Sequence, residues 1–269
     1  MNLSNTNLPF CIFVAGGFLT LLILPFDQLF LSLSFTEFES HHLGDTLKNL
    51  LIILVGWLLI RRFGYTKISG VTGIRPRNAY LIFIPLYFIL IGPLQYVLLD
   101  YQFQSIHIHH VIILFVAMLS VGLSEEFIFR GFIMPHLIKG SNPRESLIVP
   151  IGLAAALFGV LHFLNLLQPD PFLPTVLAQV TYATMFGVAF GILLLRTGTI
   201  YPIGFIHGII NFSSNLDDLP GVMAPPDLDQ FRMYDAIIAI VIVVPYFLYM
   251  VRQMPNLNRE YLLSQMDDG

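Results

Sequence analysis

The chain has 269 residues, of which 56% are hydrophobic and 11% charged, with a mean hydropathy of +0.76. Soluble domains carry about 25% charged residues, so this composition excludes an ordinary soluble fold and predicts an integral membrane protein. A formal net charge of −4 argues against a nucleic-acid partner, and a single cysteine, Cys11, excludes an intrachain disulfide and a multi-cysteine metal cluster.

Apolar runs near the ~20-residue spanning length follow in order. The first covers about 8–26 and holds Cys11, read as a small buried hydrophobe. Residues 1–26 contain no lysine or arginine, so this segment is expected to be a retained helix and not a cleaved signal. The second covers about 43–60, with Lys48 placed to snorkel outward. The third, about 79–99, contains Pro85 and Gly92-Pro93, which neighbouring helices can tolerate. The remaining runs are about 108–134, 147–167, 172–195, 199–216 and 234–251. Eight spans with an internal N-terminus place Arg61, Arg62, Lys67, Arg75, Arg77, Lys139, Arg144, Arg196, Arg252 and Arg259 on one side. The other side receives Lys48 and Arg232 and collects Asp27, Glu37, Glu39, Asp45, Asp100, Asp170, Asp217, Asp218, Asp227 and Asp229. This bias predicts cytoplasmic N- and C-termini. Gly187 and Gly191, with Gly152, Ala156 and Gly159, mark close helix packing. There is no internal repeat of the kind that builds inverted-repeat transporters.

The fourth run carries Ser124-Glu125-Glu126-Phe127-Ile128-Phe129-Arg130-Gly131-Phe132. Insertion costs roughly 2.5–3.5 kcal/mol for each charged residue at the centre of a membrane helix, so these three should face the interior and meet partners there. Glu126 and Arg130 are four apart and can pair. Glu125 is rotated about 100° from Glu126 and is expected to point elsewhere. The fifth run holds Phe158 and His162, and the seventh His207 and Asn211, each pair on one helix face. At 1.5 Å per residue, Glu125 lies roughly 20 Å from the outer face and His207 roughly 12 Å from the inner one, so the groups can converge. A carboxylate can take a proton from water and return it to a leaving amine. The imidazoles can bind a metal with it or donate to an oxyanion, a role that also suits the Asn211 amide.

Glu125-Glu126-x-x-x-Arg130, Phe158-x-x-x-His162 and His207-x-x-x-Asn211 resemble, in order and in separate helices, the three motifs of the CPBP intramembrane proteases. That family, also called Abi, includes the type II CAAX prenyl endopeptidases. The resemblance implies that Glu125 activates water with help from His162. It makes His207 and Asn211 the oxyanion hole, and Glu126 and Arg130 the brace of the site. Members are described both as metalloproteases and as glutamate-dependent enzymes, so a divalent metal such as zinc on Glu125, His162 and His207 stays open beside no cofactor. HExxH, GxSxG and GxGD motifs are absent. His107-x-His109-His110 could bind a metal but reads as an interfacial cluster, as do His41 and His42. The basic loop 61–77 reads as a topology and anionic-lipid signal.

The expectation is an all-α, polytopic membrane protein of about eight helices, one domain over 1–269 with its motif-bearing core at 108–216. It would be an intramembrane endopeptidase acting on a membrane-associated peptide through a cavity open to the cytoplasm. Prenylated CaaX chains, bacteriocin precursors and membrane-anchored regulators all remain candidate substrates. The alternatives are a proton-coupled transporter and a non-catalytic scaffold or immunity protein.

Overall fold

The computed structural model describes residues 7–73, 76–142, 146–168, 171–226 and 232–266. Arg75, Arg144, Asp170, Asp227 and Asp229 of the charge pattern lie outside them. Among the described residues the protein is all-α, apart from one two-stranded antiparallel ribbon that pairs Gln102 with Met223 and Phe103 with Val222. Among the described residues, seven helical stretches are long and apolar enough to span a bilayer. The first joins α1 (Asn7–Leu22) to α2 (Phe26–Ser32), and the second is α3 (Glu37–Arg62). The third runs through α4 (Tyr80–Phe83), a 3-10 segment Ile84–Leu90, and α5 (Ile91–Leu98). The fourth comprises α6 (Ile108–Glu125), a π-helical segment Glu126–Ile133, and α7 (Met134–Gly140). α8 (Ile148–Leu161) with a 3-10 extension His162–Leu167, α9 (Leu173–Thr197) and α11 (Arg232–Val251) supply the rest. A short α12 (Arg259–Ser264) follows.

The expected seventh span is α10 (Tyr201–Ser214), and its 14 residues cover only about 21 Å of a ~30 Å hydrocarbon core. It still crosses from one end of the bundle to the other. Before it, the Arg77 amide donates to Thr197 O at 2.8 Å; at its close, Tyr96 Oη donates to Ser214 O at 2.8 Å. Among the described residues, then, seven stretches are long enough to span and α10 runs alongside them as a shorter eighth helix.

The two ends of the bundle differ in charge as the alternation predicts. At one end Arg196 Nη1 donates to Asn256 O (3.1 Å), Arg259 Nη2 to Ile138 O (3.2 Å) and Asn7 Nδ2 to His136 O (3.4 Å). At the other, Tyr96 Oη donates to Asp217 Oδ1 (2.7 Å) and the Gln104 amide to Gly221 O (2.8 Å). We call these the basic and the acidic end. α3 shows how the sequence fixes its own ends. Thr36 and Glu39 form a reciprocal capping box, Glu37 and Glu39 occupy the first turn, and Arg61 and Arg62 the last, matching the helix dipole at both termini. Large apolar side chains such as Phe13, Ile23, Val97, Ile112 and Val241 are exposed on the outside, a surface that suits lipid and not water.

α6 and α10 pack with backbones nearly touching. A Cβ on Gly122 would meet the Gly208 nitrogen and the Gly204 carbonyl, and one on Gly208 would lie 2.6 Å from Leu119 Cα. Only a hydrogen atom fits there, and this approach brings the acidic pair of one helix to the histidine of the other. The expected small-residue contacts also form, with Gly187 against Ala155 and Gly159 against Thr184. Gly152, by contrast, faces open space.

Candidate active site

Glu126 and Arg130 are both buried, at 0% and 2% exposure, with Arg130 Nη1 3.1 Å from Glu126 Oε1. The expected pair therefore exists. Its guanidinium also lies over the Phe158 ring, 4.2 Å from the centroid, where a desolvated cation gains from the ring quadrupole. Phe158 is thus more than a neighbour of His162. It covers Arg130 and packs edge-on to His162 (5.1 Å), with Phe129 behind it (5.2 Å).

The two glutamates do not diverge as simple helical rotation suggested. Both converge on one imidazole. His207 Nδ1 lies 2.8 Å from Glu126 Oε1, and His207 Nε2 lies 3.4 Å from Glu125 Oε2. The backbone changes from α to π between these two glutamates, and π segments inside helices are frequent at functional sites. The two carboxyl groups therefore hold the imidazole from both of its nitrogens. The carboxylates differ in access: Glu126 is sealed, while Glu125 keeps 17% exposure.

His162 is not brought to Glu125 by any described contact. Its Nδ1 lies 3.3 Å from Phe158 O. A carbonyl can only accept, so Nδ1 donates and Nε2 is left as the acceptor. His162, His207 and Asn211 line a common cavity of about 390 Å³, together with Gln95, Gln179 and Tyr182. Neither glutamate lines it; His207 is the residue that touches both the carboxylates and the cavity. Glu125, His162 and His207 are not among the described groups whose ligand atoms lie within 4.8 Å of one another. Glu125 Oε2 and His207 Nε2, 3.4 Å apart, are spaced as two ligands of one ion would be, while His207 Nδ1 is engaged by Glu126 and no described contact brings His162 in as a third.

The cavity runs in one direction. Its lining comes from Thr175 to Phe190 of α9, His207 to Ser214 of α10 and Ala236 to Val243 of α11, between the depth of His207 and the acidic end, with Gln95 near the end of α5. The expectation combined cytoplasmic termini with a cavity open to the cytoplasm. The lining runs from the site toward the opposite, acidic end, so the two halves of that expectation do not hold together.

One buried contact had only a faint sequence signal. Ser124 Oγ donates to Asn49 Oδ1 at 2.6 Å, tying α3 to the residue before the acidic pair. The signal was Asn49 itself, an amide beside Lys48 at the polar start of the second run.

Residues 107–213 match a family model described as type II CAAX prenyl endopeptidase Rce1-like. That segment is similar to the Rce1-like family. The match spans all three motifs, from α6 through α10, and bears out the resemblance to the CPBP, or CAAX protease, family read from them. The matched segment contains the close α6–α10 packing and Glu125, Glu126, Arg130, His162, His207 and Asn211, while Gln95 of the cavity wall comes from α5. No curated protein and no solved structure matches the chain.

Proposed function

We propose that the protein is a glutamate-dependent intramembrane endopeptidase in which Glu125 is the general base. The observation that carries this reading is the unequal access of two adjacent carboxylates: Glu126 is closed off against Arg130, and Glu125 is partly open beside a histidine. Water gives a proton to Glu125, and the resulting hydroxide attacks the peptide carbonyl carbon. Protonated Glu125 no longer holds the His207 Nε2 proton, so that N–H and the Asn211 amide are free to donate to the tetrahedral oxyanion. Glu125 then passes its proton to the leaving amine as the C–N bond breaks. His162, with Nε2 as acceptor on the cavity wall, orients the water or the incoming peptide. Glu126 holds His207 in place through Nδ1, as an orienting carboxylate does in other hydrolytic sites.

The lysine and arginine distribution favours a cytoplasmic basic end, which would turn the cavity away from the cytoplasm. The substrate is then a membrane-anchored peptide presented at the acidic end. A prenylated CaaX chain made in the cytosol would require the reverse orientation. Cleavage in detergent micelles tests the catalytic reading, because no ion gradient exists there. A peptide cut by wild type and spared by Glu125→Gln supports it. Transport activity that needs a gradient, without hydrolysis, would replace it by the transporter reading.

A further inference from the structure

We propose a second site at the acidic end, where Glu39, His109 and His110 bind a borderline divalent cation of the zinc class and clamp α3 to α6. The three side chains come from helices some 70 positions apart in sequence, and one ligand atom from each lies within 4.8 Å of the other two. A tetrahedral zinc with Zn–N bonds of ~2.0–2.1 Å needs ligand atoms about 3.3–3.4 Å apart, so side-chain adjustments of around an ångström close the site. Two imidazoles and one carboxylate form a donor set suited to zinc and poorly suited to calcium or magnesium.

Two features mark these groups as more than neighbours. Glu39 is already oriented by the cap of α3: its Oε2 accepts from the Thr36 amide (3.0 Å) and from Thr36 Oγ1 (2.9 Å). That leaves Oε1 turned to His109 Nε2, 3.7 Å away. Outer partners of this kind fix the ligands of metal sites. The second feature is His110 Nδ1, which is buried and has no hydrogen-bond partner. A buried polar atom left unpaired is destabilising, and a cation would use its lone pair. His109 is 55% exposed on its side chain, giving an ion a way in. The neighbouring triad His41, His42 and Asp45 is a poorer cage, since Lys48 Nζ pairs with Asp45 and opposes a second cation. The proposed site lies fifteen residues up α6 from Glu125, about 22 Å at 1.5 Å per residue, and so is separate from the active site.

The test uses full-length protein purified through a tag without histidines, stripped with EDTA, and titrated with zinc sulfate while bound metal and the thermal midpoint are measured. Wild type should take up one zinc per chain and melt at a higher temperature with it. The double variant His109→Ala, His110→Ala should lose both effects. Glu39→Gln keeps a capping-box residue but not the charged ligand, and should weaken binding by more than about 10-fold, the smallest loss expected even for an outer-shell partner. Glu125→Gln should bind zinc as wild type does. Zinc uptake that survives the double variant, uptake abolished by Glu125→Gln, or no uptake at all would each overturn the proposal.

Discussion

His207 Nδ1 lies 2.8 Å from Glu126 Oε1, and that contact joins two motifs 81 residues apart. Because the same oxygen also faces Arg130 at 3.1 Å, one buried carboxylate positions both a cation and the imidazole that reaches the cavity. Glu126 is therefore the anchor of the site, and Glu125 the group left with freedom to react.

Arg130→Ala should destabilise the protein before it does anything else. It strands Glu126 as an uncompensated buried charge, a loss of about 3–5 kcal/mol, and removes the cation over Phe158. Thermal melting in detergent should show a large drop in midpoint with lower folded yield. Unchanged stability with activity abolished would instead place Arg130 against the substrate.

Gly122→Ala sets two effects against each other. Alanine gains about 1 kcal/mol of helix propensity over glycine, while overpacking costs about 1–3 kcal/mol. The new Cβ would press on α10 backbone at Gly208 and Gly204, which cannot rotate away as a side chain could. The overpacking should win, and activity should fall because His207 is pushed off the glutamates. Gly152→Ala, facing open space, should be neutral or slightly stabilising in the same melting assay.

Sidedness follows from the charge pattern. With Cys11 replaced by alanine, Met223→Cys at the acidic end should label with an impermeant maleimide added outside intact cells. Lys67→Cys should label only after permeabilisation. Met223 is about half exposed and Lys67 lies in an exposed position of the basic loop. The opposite pattern would invert the bundle, turn the cavity to the cytoplasm, and favour a cytosolic CaaX-type substrate.

The parts of this account differ in how plainly the sequence carried them. Spans were legible because a ~20-residue apolar run has few other uses, and α10 stood out among them because His207 and Asn211 interrupt its apolar face. The Glu126–Arg130 pair followed from helical spacing alone. Rotation about a regular helix separated Glu125 from Glu126, yet both meet His207. That outcome depends on the π segment and on how closely Gly122 lets α10 approach, neither of which has a local signature. Glu39 and His110 illustrate the same limit. Each reads as an ordinary helix-end or interfacial residue until tertiary packing puts α3 beside α6.

The central claim is that Glu125, and not Glu126, takes the proton from water. The most direct measurement is turnover of quenched reporter peptides, prenylated and unprenylated, by wild type, Glu125→Gln and Glu126→Gln, each normalised to folded protein. Glu125→Gln should melt near wild type and lose about 10²–10⁴-fold in rate. Glu126→Gln should lose stability first, because Arg130 and His207 both lose their anchor, and the folded fraction should keep a higher rate than folded Glu125→Gln does. Turnover by folded Glu125→Gln within a few-fold of wild type would contradict the account.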